Sequence, residues 1–380
     1  MGTYAALLAH GLLDELSTGV PVSAAGLFQT HLSLSASLLT LGLFTIPVGI
    51  AIVIEPPLFL WAGKRSRTRV ISVSLLLVAL GAVLLAFTRS FVGLLLSLTV
   101  WYPAIGLASG LAQAELMDRE PEQRERNLTR WTLLSAIGDV AAPALLAGSL
   151  KLRASYWGAL LVAALVCLLL ALRLWFVAPV DPSEEEEEAP STKSLRAILK
   201  NRALLIWLLG ASLCDLMDET LTALAAVRVE HELHGDAWAL LLVLSAIPLG
   251  GTLSLLLVEW LLLRVRATLL LGVSCVLSVL ALGLFLLSRS AEAMALSAFL
   301  LGAADAAHYP IAQAQAYRAA PEDSSWVASL GSAFTVLTVV STPLLGWVVD
   351  RHGLSWGFLT LCLQPAGLLL ILSMTRTRRR

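Results

Sequence analysis

Charge is what this sequence has least of. Asp, Glu, Lys and Arg make up 14% of its 380 residues, against about 25% in soluble domains. That shortage excludes an ordinary water-soluble globule. With 58% hydrophobic residues and a mean hydropathy of +0.82, the chain reads as a polytopic membrane protein. Cysteine is also scarce: Cys167, Cys214, Cys275 and Cys362 all fall inside apolar runs, at spacings that suggest neither a disulfide nor a metal site. No basic n-region precedes a short apolar segment, so no cleavable signal is expected. P-loop, Rossmann and nucleic-acid signatures are missing too, so no cofactor, no nucleic-acid partner and no ATP drive within the chain are expected. One further absence bears on function. From Thr3 to Phe28 the sequence holds no Lys or Arg, although two acids lie in the middle of that stretch.

Those acids are Asp14 and Glu15, in His10-Gly11-Leu12-Leu13-Asp14-Glu15-Leu16-Ser17-Thr18. About 20 apolar residues cross the ~30 Å hydrocarbon core as one helix. A carboxylate near the centre of such a helix costs roughly 2.5–3.5 kcal/mol on insertion scales, so it needs a polar cavity and a task. The arrangement returns as Leu216-Met217-Asp218-Glu219-Thr220-Leu221-Thr222. Other echoes are collinear with it. Ala112-Gln113-Ala114-Glu115 matches Ala312-Gln313-Ala314-Gln315, Pro121-Glu122 matches Pro321-Glu322, Pro143 matches Pro343, and Trp157-Gly158 matches Trp356-Gly357. The chain reads as an internal duplication.

Breaks at charged residues and at Pro or Gly divide it into twelve apolar spans. They lie near 3–27, 34–60, 70–88, 91–117, 130–150 and 155–178, then 203–229, 236–262, 267–288, 291–317, 325–349 and 354–375. All must be helices, because backbone groups in lipid have to be satisfied within the segment and the runs are too long for barrel strands. The expected fold is all-α: twelve transmembrane helices in two pseudo-symmetric six-helix halves, 1–178 and 203–380. A linker, 179–202, joins them and carries the acidic run Glu184 to Glu188 and a short surface helix near Leu195 to Leu199. Nineteen Lys and Arg fall on the side of the termini and linker and six on the other, with Arg173 near the end of the sixth span. Termini and linker are therefore expected to be cytoplasmic, in a monomeric multi-pass protein of a bacterial inner membrane.

The best local motif is Gly346-Trp347-Val348-Val349-Asp350-Arg351-His352-Gly353, a G-x-x-x-D-R-x-G pattern at the end of the eleventh span. The loop after the second span, Trp61-Ala62-Gly63-Lys64-Arg65-Ser66-Arg67-Thr68-Arg69, keeps a Gly-Lys-Arg portion. In the fifth span, Gly138-Asp139-Val140-Ala141-Ala142-Pro143 is similar to G-x-x-x-G-P with Ala142 in place of the second Gly. On these motifs and the parallel repeat, the chain resembles the major facilitator superfamily over essentially its whole length. Its His-x-x-x-Asp-Glu opening is similar to bacterial drug-efflux carriers of the fosmidomycin-resistance type. One departure is Leu60, which stands where the family has an acid; Glu55, five residues earlier, is the nearest substitute.

The resemblance implies a central cavity lined by spans one, four, seven and ten. Those spans hold the candidate residues: Asp14, Glu15, Asp218 and Glu219 for proton coupling, and His10, Gln113, Asp215, Asp305, His308 and Tyr309 for substrate. Glu55, Asp139, Pro143, Asp350 and Arg351 are candidates for gating or structure. Helical spacing puts His10, Asp14, Ser17 and Thr18 on one face, and brings Asp305 within reach of His308 and Tyr309. Blander readings stand beside these. Asp14 and Asp218 could form helix–helix hydrogen bonds, Glu55 and Glu259 could bridge helices by ion pairs, Glu115 could be solvated, and His308 could be a satisfied core histidine. Deep acids without a deep Lys or Arg offer no clamp for an anion. Crowded carboxylates in a low dielectric hold protons more readily than in water. The expected function is therefore a proton-coupled antiporter, not an enzyme, exporting a small cationic or zwitterionic organic solute. Alternatives are a carrier of a divalent metal ion through His10, Asp14, Asp305 and His308, an uptake symporter, an intramembrane enzyme using paired carboxylates, and a transport-incompetent receptor.

Overall fold

The computed structural model describes residues 2–35, 38–39, 41–176, 195–217, 219–231 and 237–376. Asp218 and residues 179–194 of the expected linker fall outside them. In the first half, α1 is Thr3–Ser23, α2 Ala25–His31, α3 Ile46–Ala62, α4 Arg67–Ala86, α5 Phe91–Arg119, α6 Arg124–Lys151 and α7 Ser155–Phe176. A turn of π-helix, Leu41–Thr45, leads into α3. A four-residue helix, α8 (Leu195–Ile198), falls where the surface helix was expected. The second half continues with α9 (Arg202–Leu213), α10 (Glu219–His231), α11 (Ala237–Leu261), α12 (Ala267–Leu287), α13 (Ala291–Asp305), α14 (His308–Ala319), α15 (Ser324–Phe334), α16 (Val336–His352), α17 (Leu354–Leu361) and α18 (Leu363–Arg376).

Among the described residues, nine spans are long and apolar enough to cross a membrane on composition alone. The remaining three are the first, seventh and tenth, which carry the acids. Two of these are broken where the acids sit. The seventh has a 3-10 turn, Cys214–Leu216, between α9 and α10; the tenth is interrupted at Ala306 and Ala307, between Asp305 and His308. Interrupted helices free backbone groups that a uniform helix would bond, a feature tolerated in membranes where protein or a cavity satisfies them.

The duplication is visible in the packing. Each of five helix pairs in the first half has a counterpart in the second: α3 on α5 and α11 on α13; α4 on α5 and α12 on α13; α1 on α7 and α9 on α18; α4 on α7 and α12 on α18; α1 on α5 and α9 on α14. Even the caps repeat at an offset of 200 residues. Ser90 accepts from the Gly93 N–H at 3.1 Å, and Ser290 from the Ala293 N–H at 3.3 Å. Each fixes the start of its helix by satisfying an otherwise orphaned donor.

Small residues face inward and large ones outward, as expected when lipid is the solvent. On α7, Ala159, Ala163, Ala164 and Ala171 are buried while Leu165, Leu169 and Leu172 are exposed. Helices α11 and α13 approach most closely at two glycines. A Cβ on Gly250 would strike the Phe299 carbonyl, and one on Gly302 the Ile247 carbonyl. Gly353 is required for its conformation: its φ of 90° lets the chain turn from α16 into α17.

The chain forms two compact units. One comprises Met1–Glu122, Leu134–Ser194 and Pro321–Ala333, and the other Gln123–Leu133, Leu195–Ala320 and Phe334–Arg380. Each unit takes in one short segment from the opposite half of the sequence.

Candidate functional site

In the first unit the candidate residues gather around α1. His10 is fully buried, and its Nε2 lies 3.3 Å from the Ser109 hydroxyl of α5. That hydroxyl also hydrogen-bonds the Asp14 carboxylate, so Ser109 connects the imidazole and the acid. Charges on Asp139 of α6 and Glu55 of α3 act on Asp14 from two further helices. Both acids of the pair are half-buried, but they are held differently. The Thr18 hydroxyl, with one proton to donate, lies 2.9 Å from the Asp14 backbone carbonyl and 3.3 Å from Glu15 Oε2. Helix α1 meets α6 here because Gly138 has no Cβ to block the Leu12 carbonyl and the Glu15 side chain. The same α6 segment offers a neutral contact, Ser135 to the Gly11 carbonyl at 3.2 Å.

Among the described residues Glu55 is not bridged to an arginine, unlike the second-half acid Glu259. Its carboxylate lies over Gly106 of α5, where a Cβ would overlap it, and it accepts a hydrogen bond from Ser332 of α15. Ser329, one turn earlier on α15, donates to the Pro56 carbonyl at 2.9 Å. Gln113 is buried on α5, Asp139 is exposed on α6, and Pro143 lies exposed one turn beyond Asp139.

In the second unit the acids sit at the helix breaks. Asp305 Oδ1 is 2.7 Å from His308 Nδ1, across the interruption of the tenth span. Gln364 of α18, fully buried, joins the pair: its Nε2 lies 2.6 Å from Asp305 Oδ1 and 3.1 Å from His308 Nδ1. Its Oε1 accepts the Met217 backbone N–H at 2.9 Å, at the interruption of the seventh span. Donor chemistry fixes the amide's orientation. Only Oε1 can accept from a backbone N–H, so the NH2 faces the carboxylate, and Nδ1–H of His308 donates to the same oxygen. Cys275 of α12 borders the buried imidazole. Asp215, in the 3-10 turn, accepts from the Thr338 hydroxyl of α16 at 2.6 Å. Tyr309 is half-buried, directly after His308. Glu219 opens α10, and Asp218 lies outside the described residues.

Arginine is used elsewhere. Arg67 pairs with Asp118 at 2.5 Å and reaches Ser324 at 2.9 Å, while Arg119 pairs with Glu115 at 2.7 Å. In the second unit Arg130 and Arg126 hold Glu259 at 2.7 and 3.2 Å, and Arg318 holds Glu125 at 2.8 Å. Arg228 is buried, but its guanidinium donates to the carbonyls of Phe285 and Leu286 at 2.6 and 2.7 Å, closing the end of α12. Asp350 and Arg351 are exposed at the end of α16, with Arg351 5.7 Å from the Trp347 ring. Among the described residues no group of three or more His, Cys, Asp or Glu could hold a metal ion.

The seats of the acids are what the sequence reading missed: Ser109, Ser332, Thr338 and Gln364. Serines and threonines are too common in membrane helices to be distinctive. Gln364 left a readable trace, as the lone amide in an apolar span, where an unsatisfied polar group is costly.

Comparison with curated protein sequences finds no match. A family model of the major facilitator superfamily matches residues 8–329. Among solved structures, the major facilitator transporter FucP in the outward conformation is similar at a TM-score of 0.78 and 17% identity, over 98% of each chain. The human organic anion transporter MFSD10 is similar at 0.74 and 17% identity, over 97% of this chain and 98% of its own. The proton:xylose symporter XylE, bound to 6-bromo-6-deoxy-D-glucose, is similar at 0.76 and 12% identity, over 98% of this chain and 94% of its own. A single-site variant of the E. coli fucose:proton symporter FucP adds a TM-score of 0.73 at 17% identity, over 98% of each chain.

Proposed function

Because the chain belongs to the major facilitator superfamily, and so is a secondary transporter working by alternating access, we propose that it is a proton-coupled antiporter exporting a small cationic or zwitterionic organic solute. The observation that carries this reading is the company the deep acids keep. Among the described residues, the hydrogen-bond partners of Asp14 and Glu55 are the hydroxyls of Ser109 and Ser332. Such partners hold a carboxylate in place without neutralising it, so a proton or a cationic substrate can do so in turn. An anionic substrate would meet carboxylates first.

In this reading Asp14 is the proton carrier of the first unit, held by Ser109 beside His10, with Glu15 its neighbour on the next helical face. Asp218 and Glu219 take the equivalent place in the duplicated half. The substrate-contacting candidates are His10 and Gln113 in the first unit and Asp215, Asp305, His308 and Tyr309 in the second. Glu55, Asp139, Pro143, Asp350 and Arg351 serve gating or helix packing. Proton and substrate compete for the acids, which makes the exchange obligatory. Both termini are cytoplasmic, and the halves 1–178 and 203–380 are the moving bodies.

Proton-driven uptake of a neutral sugar is the second reading, favoured by the names of two structural neighbours, each a proton symporter. Thermal stability of the purified protein separates the two, because a ligand that binds the folded state raises the melting temperature by mass action. The panel is organic cations, organic anions, sugars and divalent metals, at pH 5.5 and 8, on wild type and Asp14→Asn. The proposal expects an organic cation to stabilise the protein at pH 8, less at pH 5.5, and not at all in the variant. Stabilisation by a sugar alone would establish symport as the better reading, and stabilisation only by an organic anion or a divalent metal would overturn cation export.

A further inference from the structure

The ends of the second and eighth spans repeat one another, one in each unit. Trp61-Ala62-Gly63-Lys64-Arg65 leads out of α3, and Trp260-Leu261-Leu262-Leu263-Arg264 leads out of α11. In both, an arginine four residues after a tryptophan lies over the indole. The Arg65 Cζ is 5.2 Å from the Trp61 ring centroid, and the Arg264 Cζ is 4.2 Å from that of Trp260. A guanidinium stacked in this way turns its face to the ring and keeps the N–H donors along its edge free. The chain does not use those donors. Among the described residues Lys64, Arg65, Arg69, Arg264 and Arg266 are exposed and meet no carboxylate, whereas the neighbouring Arg67 is taken by Asp118. Glu259, the acid beside Trp260, is already held by Arg126 and Arg130. Each end therefore joins unpaired positive charge to an exposed ring.

Back along each helix the surface is apolar and outward: Val53 and Ile54 are exposed on α3, and Leu253, Leu256 and Leu257 on α11. These positions lie one to two turns before the tryptophan, on its own face of the helix. We propose that each of these two ends binds one anionic phospholipid, in the leaflet on the side of the linker. The guanidinium fork and its neighbouring cations take the headgroup phosphate, whose two unbridged oxygens suit a bidentate donor. The indole packs against the glycerol backbone, and the apolar face receives an acyl chain. A free phosphate would engage the cations but leave ring and apolar face without a role. The charge selects anionic lipid, because neither cluster offers a carboxylate to an ammonium or choline group. The eleventh span supplies a contrast at its end, on the other side of the twelve-span path. Trp347 carries Arg351 at 5.7 Å over exposed Val340 and Leu344, but Asp350 is exposed beside that arginine. The ring and apolar face are kept there and the unpaired charge is not, so that end should accept lipid whatever its headgroup. No substrate, transport direction or protonation change enters this inference.

Quenching of tryptophan fluorescence by brominated lipid tests it on the full-length protein in phosphatidylcholine nanodiscs. A minor fraction of the lipid is replaced by phosphatidylglycerol or phosphatidylcholine brominated on the acyl chains, which quenches a ring only at close range. The contributions of Trp61, Trp260 and Trp347 are read as differences between wild type and Trp61→Phe, Trp260→Phe and Trp347→Phe. Brominated phosphatidylglycerol is expected to quench the first two about fivefold more per molecule than brominated phosphatidylcholine, the gain that a single cation gives near an anionic surface. Trp347 should be quenched equally by both. Lys64→Gln with Arg65→Gln should remove the preference at Trp61 alone, and Arg264→Gln with Arg266→Gln at Trp260 alone. Arg65→Lys and Arg264→Lys separate a built site from diffuse surface charge. Lysine keeps the charge but loses the stacked planar fork, so the preference should fall in these variants too. Equal quenching of Trp61 and Trp260 by the two lipids, the same preference at Trp347, or a preference undiminished in the lysine variants would each overturn the proposal. Inorganic phosphate should leave the quenching unchanged; its displacing the lipid would overturn the lipid assignment in favour of free phosphate.

Discussion

At the scale of single residues, the first unit turns on what a serine does between a histidine and an acid. The Ser109 hydroxyl has one proton to give and lone pairs to receive with. It can donate to Asp14 only while accepting from His10, so the three groups share one hydrogen-bonding state. Ser109→Ala breaks that chain and leaves a buried imidazole nitrogen and a carboxylate to find other partners. An unsatisfied buried group costs about 1–3 kcal/mol, so the variant should melt several degrees below wild type and carry protons less efficiently. Asp14→Asn should behave in the opposite way. An amide can accept from Ser109 without carrying charge into the interior, so stability should hold or rise while proton-coupled transport stops. Proton flux and melting temperature, measured side by side, check both; loss of stability in Asp14→Asn with flux intact would reverse the assignment.

At the scale of elements, most helices were readable because hydropathy alone determines where a chain enters and leaves lipid. The expected fourth span, 91–117, is α5, Phe91–Arg119, and the expected ninth, 267–288, is α12, Ala267–Leu287. The breaks were not readable. Spans seven and ten each read as one unbroken span in sequence, and only the folded chain reveals that Cys214–Leu216 and Ala306–Ala307 depart from α-helix. The acids were conspicuous by their cost, but their partners were not, since a Ser or Gln acquires meaning only from what another helix brings to it. Glycine has the same dependence on context. Gly302 and Gly250 let α11 and α13 touch backbone to backbone, whereas Gly283 has open space around its Cβ position. Gly302→Leu should force the pair apart, and overpacking of this kind costs roughly 1–3 kcal/mol or more. Gly283→Ala should be neutral or slightly stabilising, since alanine is the better helix former. Detergent melting curves of both variants test this; equal melting temperatures would mean that the close crossing does not limit stability.

At the scale of the whole molecule, the duplication constrains orientation as well as packing. Two halves related by a parallel repeat with six crossings each must have their starts on the same side, so the beginning, the linker and the end of the chain share one compartment. The Lys and Arg distribution, nineteen on the side of the termini and linker against six opposite, is the basis of the proposal that this shared side is cytoplasmic. Arg67 with Asp118 and Arg318 with Glu125 lie at equivalent ends of the fourth and tenth spans, so the charges there belong to folded structure as well as to insertion. A cysteine-free background, with Cys167, Cys214, Cys275 and Cys362 replaced, allows a direct test. All four are buried or half-buried, and Cys214 also donates to the Gly210 carbonyl at 3.3 Å, so the background is first checked for a melting temperature close to wild type. A single cysteine at Arg196 or Arg266 should react with a membrane-impermeant maleimide only in inside-out vesicles, and one at Arg153 or Arg289 only in right-side-out vesicles. Labelling of Arg196→Cys and Arg153→Cys from the same side would contradict the twelve-span path, because an even number of crossings can then separate them. Consistent labelling in the reversed sense would keep the path and invert the direction in which every proposed proton and substrate movement runs.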